Sequence, residues 1–157
     1  MWLNQNKYSC AGFYRAFRHE PDISEALLSW SIAADKKLAV PRVDDSAAGR
    51  MHFCLWSRDM PMIKGAFGIE EPQVDTVVCP DVIFSPCVGV NRLGFRLGNG
   101  GGFFDRYLLQ RRLDSKPVTT VAVAFDELVV DENYQQEHDI AFDWIATQSG
   151  LIPIKNR

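Results

Sequence analysis

Residues 96–113 read RLGNGGGFFDRYLLQRRL, with four glycines in five positions, then two aromatic rings, an aspartate and a run with helical spacing. Glycine loses more conformational freedom on folding than any other residue, so a cluster needs a local reason. Positive φ lets successive amides turn inward as an anion-binding nest. A helix starting at the same place adds its unpaired N–H groups and positive dipole end. Arg96 and Arg106 flank that nest with full charge. The segment therefore predicts a strand-to-helix junction that binds phosphate; the plainer alternative is a tight turn needing flexible backbone. It is not a Walker loop, because no Gly-Lys-Ser/Thr closes it. Gly98 and Gly100 fit the first two positions of a dinucleotide fingerprint. Phe103 occupies the third, however, and the loop stands well past its strand.

Outward from this junction, DVIFSP (81–86) is a compact apolar run that suits a buried parallel strand, and TTVAVAF (119–125) is a second. Phe104, Tyr107 and Leu108 form one stripe of the helix between them. Upstream, YSCAGFYRAF (8–17) reads as an early strand. A helix follows, with Ile23, Ala26, Leu27, Trp30 and Ala34 near helical spacing and Asp22 or Ser24 as its cap. KLAVPRV (37–43) reads as a short strand that Pro41 interrupts or ends. RMHFCLW (50–56) suits a half-exposed strand, and MIKGAFGIEEPQ (62–73) a loop punctuated by Gly65, Gly68 and Pro72. DWIATQSGLI (143–152) holds a last short strand. Strands alternating with helices predict an α/β sheet with a substantial parallel part, and no linker or repeat divides residues 1–157.

The chain has 157 residues, 46% hydrophobic and 24% charged, as a single globular domain would. A net charge of −3 gives no reason to expect a nucleic acid or an anionic membrane as partner, so any anionic ligand must be held by a local donor cluster. The four cysteines (Cys10, Cys54, Cys79, Cys87) form no CxxC pair and are expected as scattered reduced thiols. No apolar run approaches the ~20 residues of a membrane helix. The N-terminus has neither a basic nor a sustained apolar region of signal-peptide type, so a cytoplasmic location is expected. His19 and His52 show no metal-site spacing.

DVIFSPCVGVNRLGFRLGNGGGFFDRYL (81–108) resembles the signature of the 5-formyltetrahydrofolate cyclo-ligases, also called methenyltetrahydrofolate synthetases. Four further segments are similar to that family in the same order: FRHEPDISEALL (17–28), KKLAVPRV (36–43), GAFGIEEP (65–72) and VAVAFDELVVDENYQQEHDIAFDWIAT (121–147). The resemblance implies a three-layer α/β fold around a mostly parallel sheet. It also implies ATP- and Mg2+-dependent conversion of 5-formyltetrahydrofolate to 5,10-methenyltetrahydrofolate, with ADP and phosphate released. A formyl oxygen is a poor leaving group, so phosphorylation by ATP activates it before the neighbouring folate nitrogen closes the ring. Such transfer depends on positioning and charge neutralisation.

By the same resemblance, Arg96, Leu97, Gly98, Asn99, Gly100, Gly101, Gly102, Phe103 and Phe104 form the nucleotide segment, with Arg96 on phosphate oxygens and the glycines allowing close backbone approach. Asp105 holds magnesium, and Asp139 is the second candidate; hard oxygen ligands suit this ion. Arg96 and Asp105 are the expected catalytic pair. Glu20 accepts pterin N–H groups, and Asn99 and Phe103 line the wall between folate and nucleotide. Simpler readings stand beside these: Asp105 as a helix N-terminal acid, Asp139 as a turn residue, Glu20 as an exposed acid and His138 as a loop histidine. Trp56 and Phe67 suit stacking on a pterin, but core packing is the simpler expectation for both.

Three departures carry consequences. The family normally begins with a basic helix that reaches the ATP phosphates, whereas here the first strand arrives by about Tyr8. The alternative function is thus a shortened homologue that binds folate or nucleotide without turnover. Asn99 and Phe103 replace common aromatic hydroxyl residues, and Asn91 replaces a frequent aspartate. A phosphate-binding α/β module of different chemistry is a third reading. The expected partners are small molecules, a reduced folate and ATP, and a monomer is favoured.

Overall fold

The apolar run Val82–Pro86 is buried at every position and has a parallel neighbour on each side, Cys10–Gly12 and Thr119–Val123. This is the environment in which a continuous hydrophobic strand is stable. The computed structural model describes residues 2–17, 19–97, 102–136 and 139–154. In chain order it contains helix α1 (Trp2–Gln5), strand β1 (Cys10–Gly12), helix α2 (Ser24–Ala34), and strands β2 (Lys37–Asp45) and β3 (Arg50–Trp56). The short strands β4 (Met62–Lys64), β5 (Glu70–Pro72) and β6 (Val77–Val78) follow, then β7 (Val82–Pro86), β8 (Gly89–Asn91) and β9 (Arg96–Leu97). Helix α3 (Phe103–Leu113), β10 (Thr119–Val123), β11 (Val129–Val130), β12 (Trp144–Thr147) and β13 (Gly150–Pro153) complete it.

The main sheet has eight strands in the order β13-β12-β10-β7-β1-β2-β3-β6. Every pairing from β12 to β2 is parallel; β13, β3 and β6 add antiparallel flanks. From β1 the chain steps outward to β2, then returns to place β7 on the other side of β1 and continues to β10 and β12. Right-handed crossovers in opposite directions put α2 and α3 on opposite faces, which gives the three-layer α/β arrangement. The point where the direction reverses lies between β1 and β7, where open α/β sheets form a crevice beyond the strand ends.

Carboxylates tie the strand starts together. Asp81 accepts the backbone N–H groups of Ser9 (2.8 Å) and Cys10 (3.0 Å), which joins the entry of β7 to β1. Asp143 accepts from Thr120 N–H (2.9 Å), which joins β12 to β10. Helix α3 buries Phe104, Leu108 and Arg111 on one stripe. The Arg111 guanidinium is satisfied there by the carbonyls of Pro80 (2.9 Å) and Lys116 (3.1 Å) and the Tyr107 hydroxyl (3.2 Å). The four cysteines are unpaired thiols. No helix among the described residues is long and apolar enough to cross a membrane.

Three sequence expectations need correction. Pro41 does not interrupt β2, which runs through it to Asp45. By then the parallel neighbour has ended, its last bond being Phe13 N–H to Ala39 O (3.0 Å), so the missing N–H breaks no ladder. Residues 62–73 are not an open loop: β4 and β5 pair as a small antiparallel hairpin around a single 3-10 turn at Ala66–Gly68. Residues 143–152 contribute to two strands, β12 and β13, paired about the Thr147–Gly150 turn. Helix α2 also lacks a side-chain cap on its own first N–H groups beyond Asp22, whose carboxylate accepts Ser24 N–H (3.0 Å) and Ser24 Oγ (2.6 Å).

Two outcomes follow from this packing. A Cβ on Gly12 would stand 2.8 Å from Phe53 Cε1 and 2.9 Å from Pro80 Cγ, both parts of stiff rings. Gly12→Ala should lower stability by about 1–3 kcal/mol in denaturant titration; an unchanged midpoint would show that the sheet yields there. His52 sits between two carboxylates, Nδ1 2.7 Å from Asp44 Oδ1 and Nε2 2.6 Å from Asp75 Oδ1. Partial burial opposes the imidazolium, but the bonds to Asp75 and Asp44 outweigh it and raise its pKa above the usual histidine value. A raised folded-state pKa gives stability that is fully present below the unfolded value and lost as pH rises through the folded one. The stability gap between parent and His52→Gln should therefore be widest in mild acid and shrink on the alkaline side of neutrality. A gap that grows with pH would contradict the assignment.

Candidate active site

Beyond the C-terminal ends of β1 and β7, at the reversal point, lies a cavity of ≈ 820 Å³. Its floor comes from Tyr14 after β1, from Pro41 and Val43 of β2, and from Met51 of β3. Pro86, Cys87 and Val88 form the β7 side, and Gly102, Phe103 and Phe104 bring the start of α3 to it. Ionisable groups are few: Arg15, His19, Glu20, Glu70, Glu71 and Arg96. A mostly apolar concavity with a small number of fixed polar groups is the usual form of a small-molecule site.

Arg96 is the best-anchored of these. Its side chain is only 6% exposed. Nε and Nη2 both donate to the Pro86 carbonyl (3.1 and 2.8 Å), and Nη1 donates to the two Asp105 oxygens (3.1 and 3.0 Å). The Phe104 and Phe142 rings lie 5.9 and 6.0 Å from the guanidinium carbon. One guanidinium thus joins the end of β7 to the first turn of α3. Gly102 holds a left-handed conformation (φ 69°) just before that turn, and a Cβ there would crowd Arg106 Nη1 at 2.8 Å. A bulkier residue there would carry the cost of a left-handed backbone and would displace the Arg106 side chain.

Glu20 reaches the cavity from the turn after β1, and its Oε1 accepts Phe17 N–H (2.8 Å). Burial, and then the negative charge of Glu20, push the Tyr14 phenol well above its ordinary pKa; its hydroxyl donates to Pro21 O. Burial likewise raises the Cys87 thiol to about 11, and Sγ–H points to Val123 O at 3.2 Å. Phenol and thiol therefore stay protonated near neutrality.

The sequence-predicted residues divide clearly. Glu20 and, from the distant segment 96–104, Arg96, Gly102, Phe103 and Phe104 meet in one cavity. Asp105 lies at its edge, 54% exposed and bonded to Arg96, so the expected phosphate and metal ligands contact each other. Leu97 pairs with Gly89 in the β8–β9 ribbon and does not line the cavity. Asp139 accepts Gln136 N–H (2.8 Å) and also stands apart from the lining. Gly98, Asn99, Gly100, Gly101 and His138 lie outside the described residues.

Core packing is right for Trp56, which is buried edge-on to Phe13 (5.4 Å) with Arg15 over its other surface (5.3 Å). It is wrong for Phe67. That residue is 63% exposed, has φ 61°, and sets its ring edge-to-face against Phe103 at 5.9 Å across the cavity wall. Asn91 proves structural: Nδ2 donates to Glu132 O (3.1 Å) and Gln135 Oε1 (2.8 Å), while Oδ1 accepts from Leu93 and Phe95 N–H (3.1 Å each). An ionised aspartate could not donate to the first two. Tyr14, Glu71 and Cys87 were missed as site residues. Glu71 lay in the quoted GIEEP turn, but nothing in its spacing marks a buried carboxylate.

The model of the 5-formyltetrahydrofolate cyclo-ligase family matches residues 5–148. A 5-formyltetrahydrofolate cyclo-ligase of Mycolicibacterium smegmatis is 30% identical over 98% of this chain and 82% of its own length. One from Haemophilus influenzae is 32% identical over 78% of this chain and 67% of its own. Both relatives are enzymes by name. Among solved structures, the 5,10-methenyltetrahydrofolate synthetase of Aquifex aeolicus superposes with a TM-score of 0.74 at 24% identity, over 96% of this chain and 74% of that one, a likeness of fold. With nearly the whole chain matched, and a cavity at the reversal point of such a sheet, this protein belongs to the 5-formyltetrahydrofolate cyclo-ligase family.

Proposed function

We propose that this chain converts 5-formyltetrahydrofolate and ATP to 5,10-methenyltetrahydrofolate, ADP and phosphate with Mg2+, in the cavity between β1 and β7. The observation that carries the reading is the convergence there of Glu20 with Arg96, Phe103 and Phe104, expected from two separate segments of the family pattern. Glu20 accepts pterin N–H groups from one end. Phe67 and Phe103 supply ring surface at the wall. Arg96, oriented by Pro86 O and Asp105, presents positive charge where phosphate arrives; a guanidinium has more N–H donors than these bonds use.

In the reaction that the family resemblance implies, the phosphoryl acceptor is the formyl oxygen of the ligand. Its attack on the terminal phosphorus releases ADP. The neighbouring folate nitrogen then bonds to the activated formyl carbon and gives up its proton to solvent, and phosphate departs with the former formyl oxygen. Among the described residues no three His, Cys, Asp or Glu side chains gather as a metal cage. Mg2+ on a nucleotide needs only one or two carboxylates, with phosphates and waters supplying the rest. The exposed Asp105 fits that mode, with Asp139 second, and a bound ion would neutralise phosphate charge.

A second reading, binding of folate or nucleotide without turnover, draws on the Arg96–Asp105 ion pair (3.0 Å), in which the expected phosphate and metal ligands satisfy each other. One assay separates the two: ATP-dependent appearance of methenyltetrahydrofolate absorbance from 5-formyltetrahydrofolate. Product formation that stops on chelation of Mg2+ is expected. Ligand binding without product at high protein concentration would leave the second reading.

Two substitutions divide the ligands. Glu20→Gln should weaken reduced-folate binding about tenfold and leave ATP affinity within about twofold, since a lost charge-assisted bond is worth ~1.5–3 kcal/mol. Asp105→Asn should weaken Mg2+-dependent nucleotide binding about tenfold or more and metal-free folate binding little. Calorimetry reads both, and equal losses of the two ligands in either variant would remove the assigned role.

A further inference from the structure

The far half of β2 has a bare edge facing the cavity. Alternate residues of a strand direct their backbone groups to the same neighbour, and on this side Ala39 O is taken by Phe13 N–H, the last bond of the parallel ladder. Pro41, next in that series, has no N–H. Val43 follows, and its N–H donates to Glu71 Oε2 at 2.9 Å. Glu71 is a buried carboxylate on β5 and reaches this edge from the β4–β5 hairpin.

The carboxylate also shapes the hairpin it comes from. A Cβ on Gly65 would overlap the Glu71 carboxyl carbon, so the turn closes over that group only because residue 65 is glycine. Gly65 N–H donates to Ile69 O (2.9 Å), closing a turn whose residues Ala66, Phe67 and Ile69 line the cavity. Arg42 Nη1 pins the exit of β5 through Pro72 O (2.7 Å). Phe67, at the tip, meets Phe103 of α3.

We infer that Glu71 is a positioning residue for the reaction: its contact with Val43 docks the hairpin on the bare edge of β2 and thereby sets the Phe67 ring against the substrate. The inference rests on the cavity being the reduced-folate site. Glu71 acts through Phe67 and the turn, so its loss is felt in folate binding and KM more than in kcat.

Hydrogen exchange by mass spectrometry, together with folate binding and steady-state kinetics, tests this on the full chain. In Glu71→Ala, exchange across residues 61–73 should quicken about tenfold while residues 82–86 keep their protection. KM for the reduced folate should rise by a similar factor with kcat within about twofold. Glu71→Gln, whose amide oxygen still accepts Val43 N–H, should restore both. If the alanine variant does not fold, Glu71→Asp, one methylene short of Val43, should show an intermediate loss of protection at 61–73. Unchanged exchange at 61–73 in the alanine or aspartate variant would overturn the docking. A glutamine variant as impaired in folate binding as alanine, with protection intact, would make Glu71 a direct ligand contact instead. Should the parent bind no reduced folate, the proposed function fails, yet the exchange comparison still decides whether Glu71 holds the hairpin.

Discussion

The Arg96 guanidinium, held between the Pro86 carbonyl and the Asp105 carboxylate, connects the last residue of the central strand to the first turn of α3. The cavity takes its shape from this connection. The glycine-rich segment must bridge from β9 to α3, and Arg96 at its entry bonds to Asp105 just past its exit. The two ends of the segment are thus tied, whatever the backbone between them does. With the guanidinium almost sealed from solvent and flanked by Phe104 and Phe142, its charge is screened less than that of a surface residue. In a net-negative chain it is an anchored guanidinium, already paired with Asp105, that a phosphate would meet here.

The opposite wall follows a different rule. Parallel strands of unequal length leave backbone groups unpaired where the shorter one ends, and β1 is much shorter than β2. A proline and a buried carboxylate dispose of the two exposed N–H positions, so the edge beside the ligand space carries no orphan donor. The same carboxylate brings in the hairpin that carries Phe67. That residue's left-handed backbone, unfavourable for an aromatic side chain, is held by the closed turn around it. Fold, wall and aromatic contact thus share one hydrogen bond.

Much of this was legible from residue order. DVIFSP and TTVAVAF declare buried strands because they are apolar without alternation, and the stripe Phe104, Tyr107, Leu108 declares the inward side of α3. Glu20, Arg96 and Phe103 were readable as site residues through the family pattern, and they do meet. Sequence could not reveal that Pro41 lies beyond the reach of β1, because that depends on where another strand stops. Nor could it separate Phe67 from Trp56. Both are aromatic and near strands, but one is placed in a turn with positive φ and the other faces the core. Glu71 was hidden for the same reason: its partner is a backbone amide 28 residues away, and its burial exists only once the hairpin is docked.

The most direct measurement is a crystal structure of the protein with 5-formyltetrahydrofolate and a non-hydrolysable ATP analogue. The pterin should lie between Glu20 and the Phe67–Phe103 pair, with the terminal phosphate beside Arg96 within reach of the formyl oxygen. Well-ordered ligands bound elsewhere, for example in the smaller cavity lined by Arg111, Arg112 and Lys116, would contradict it.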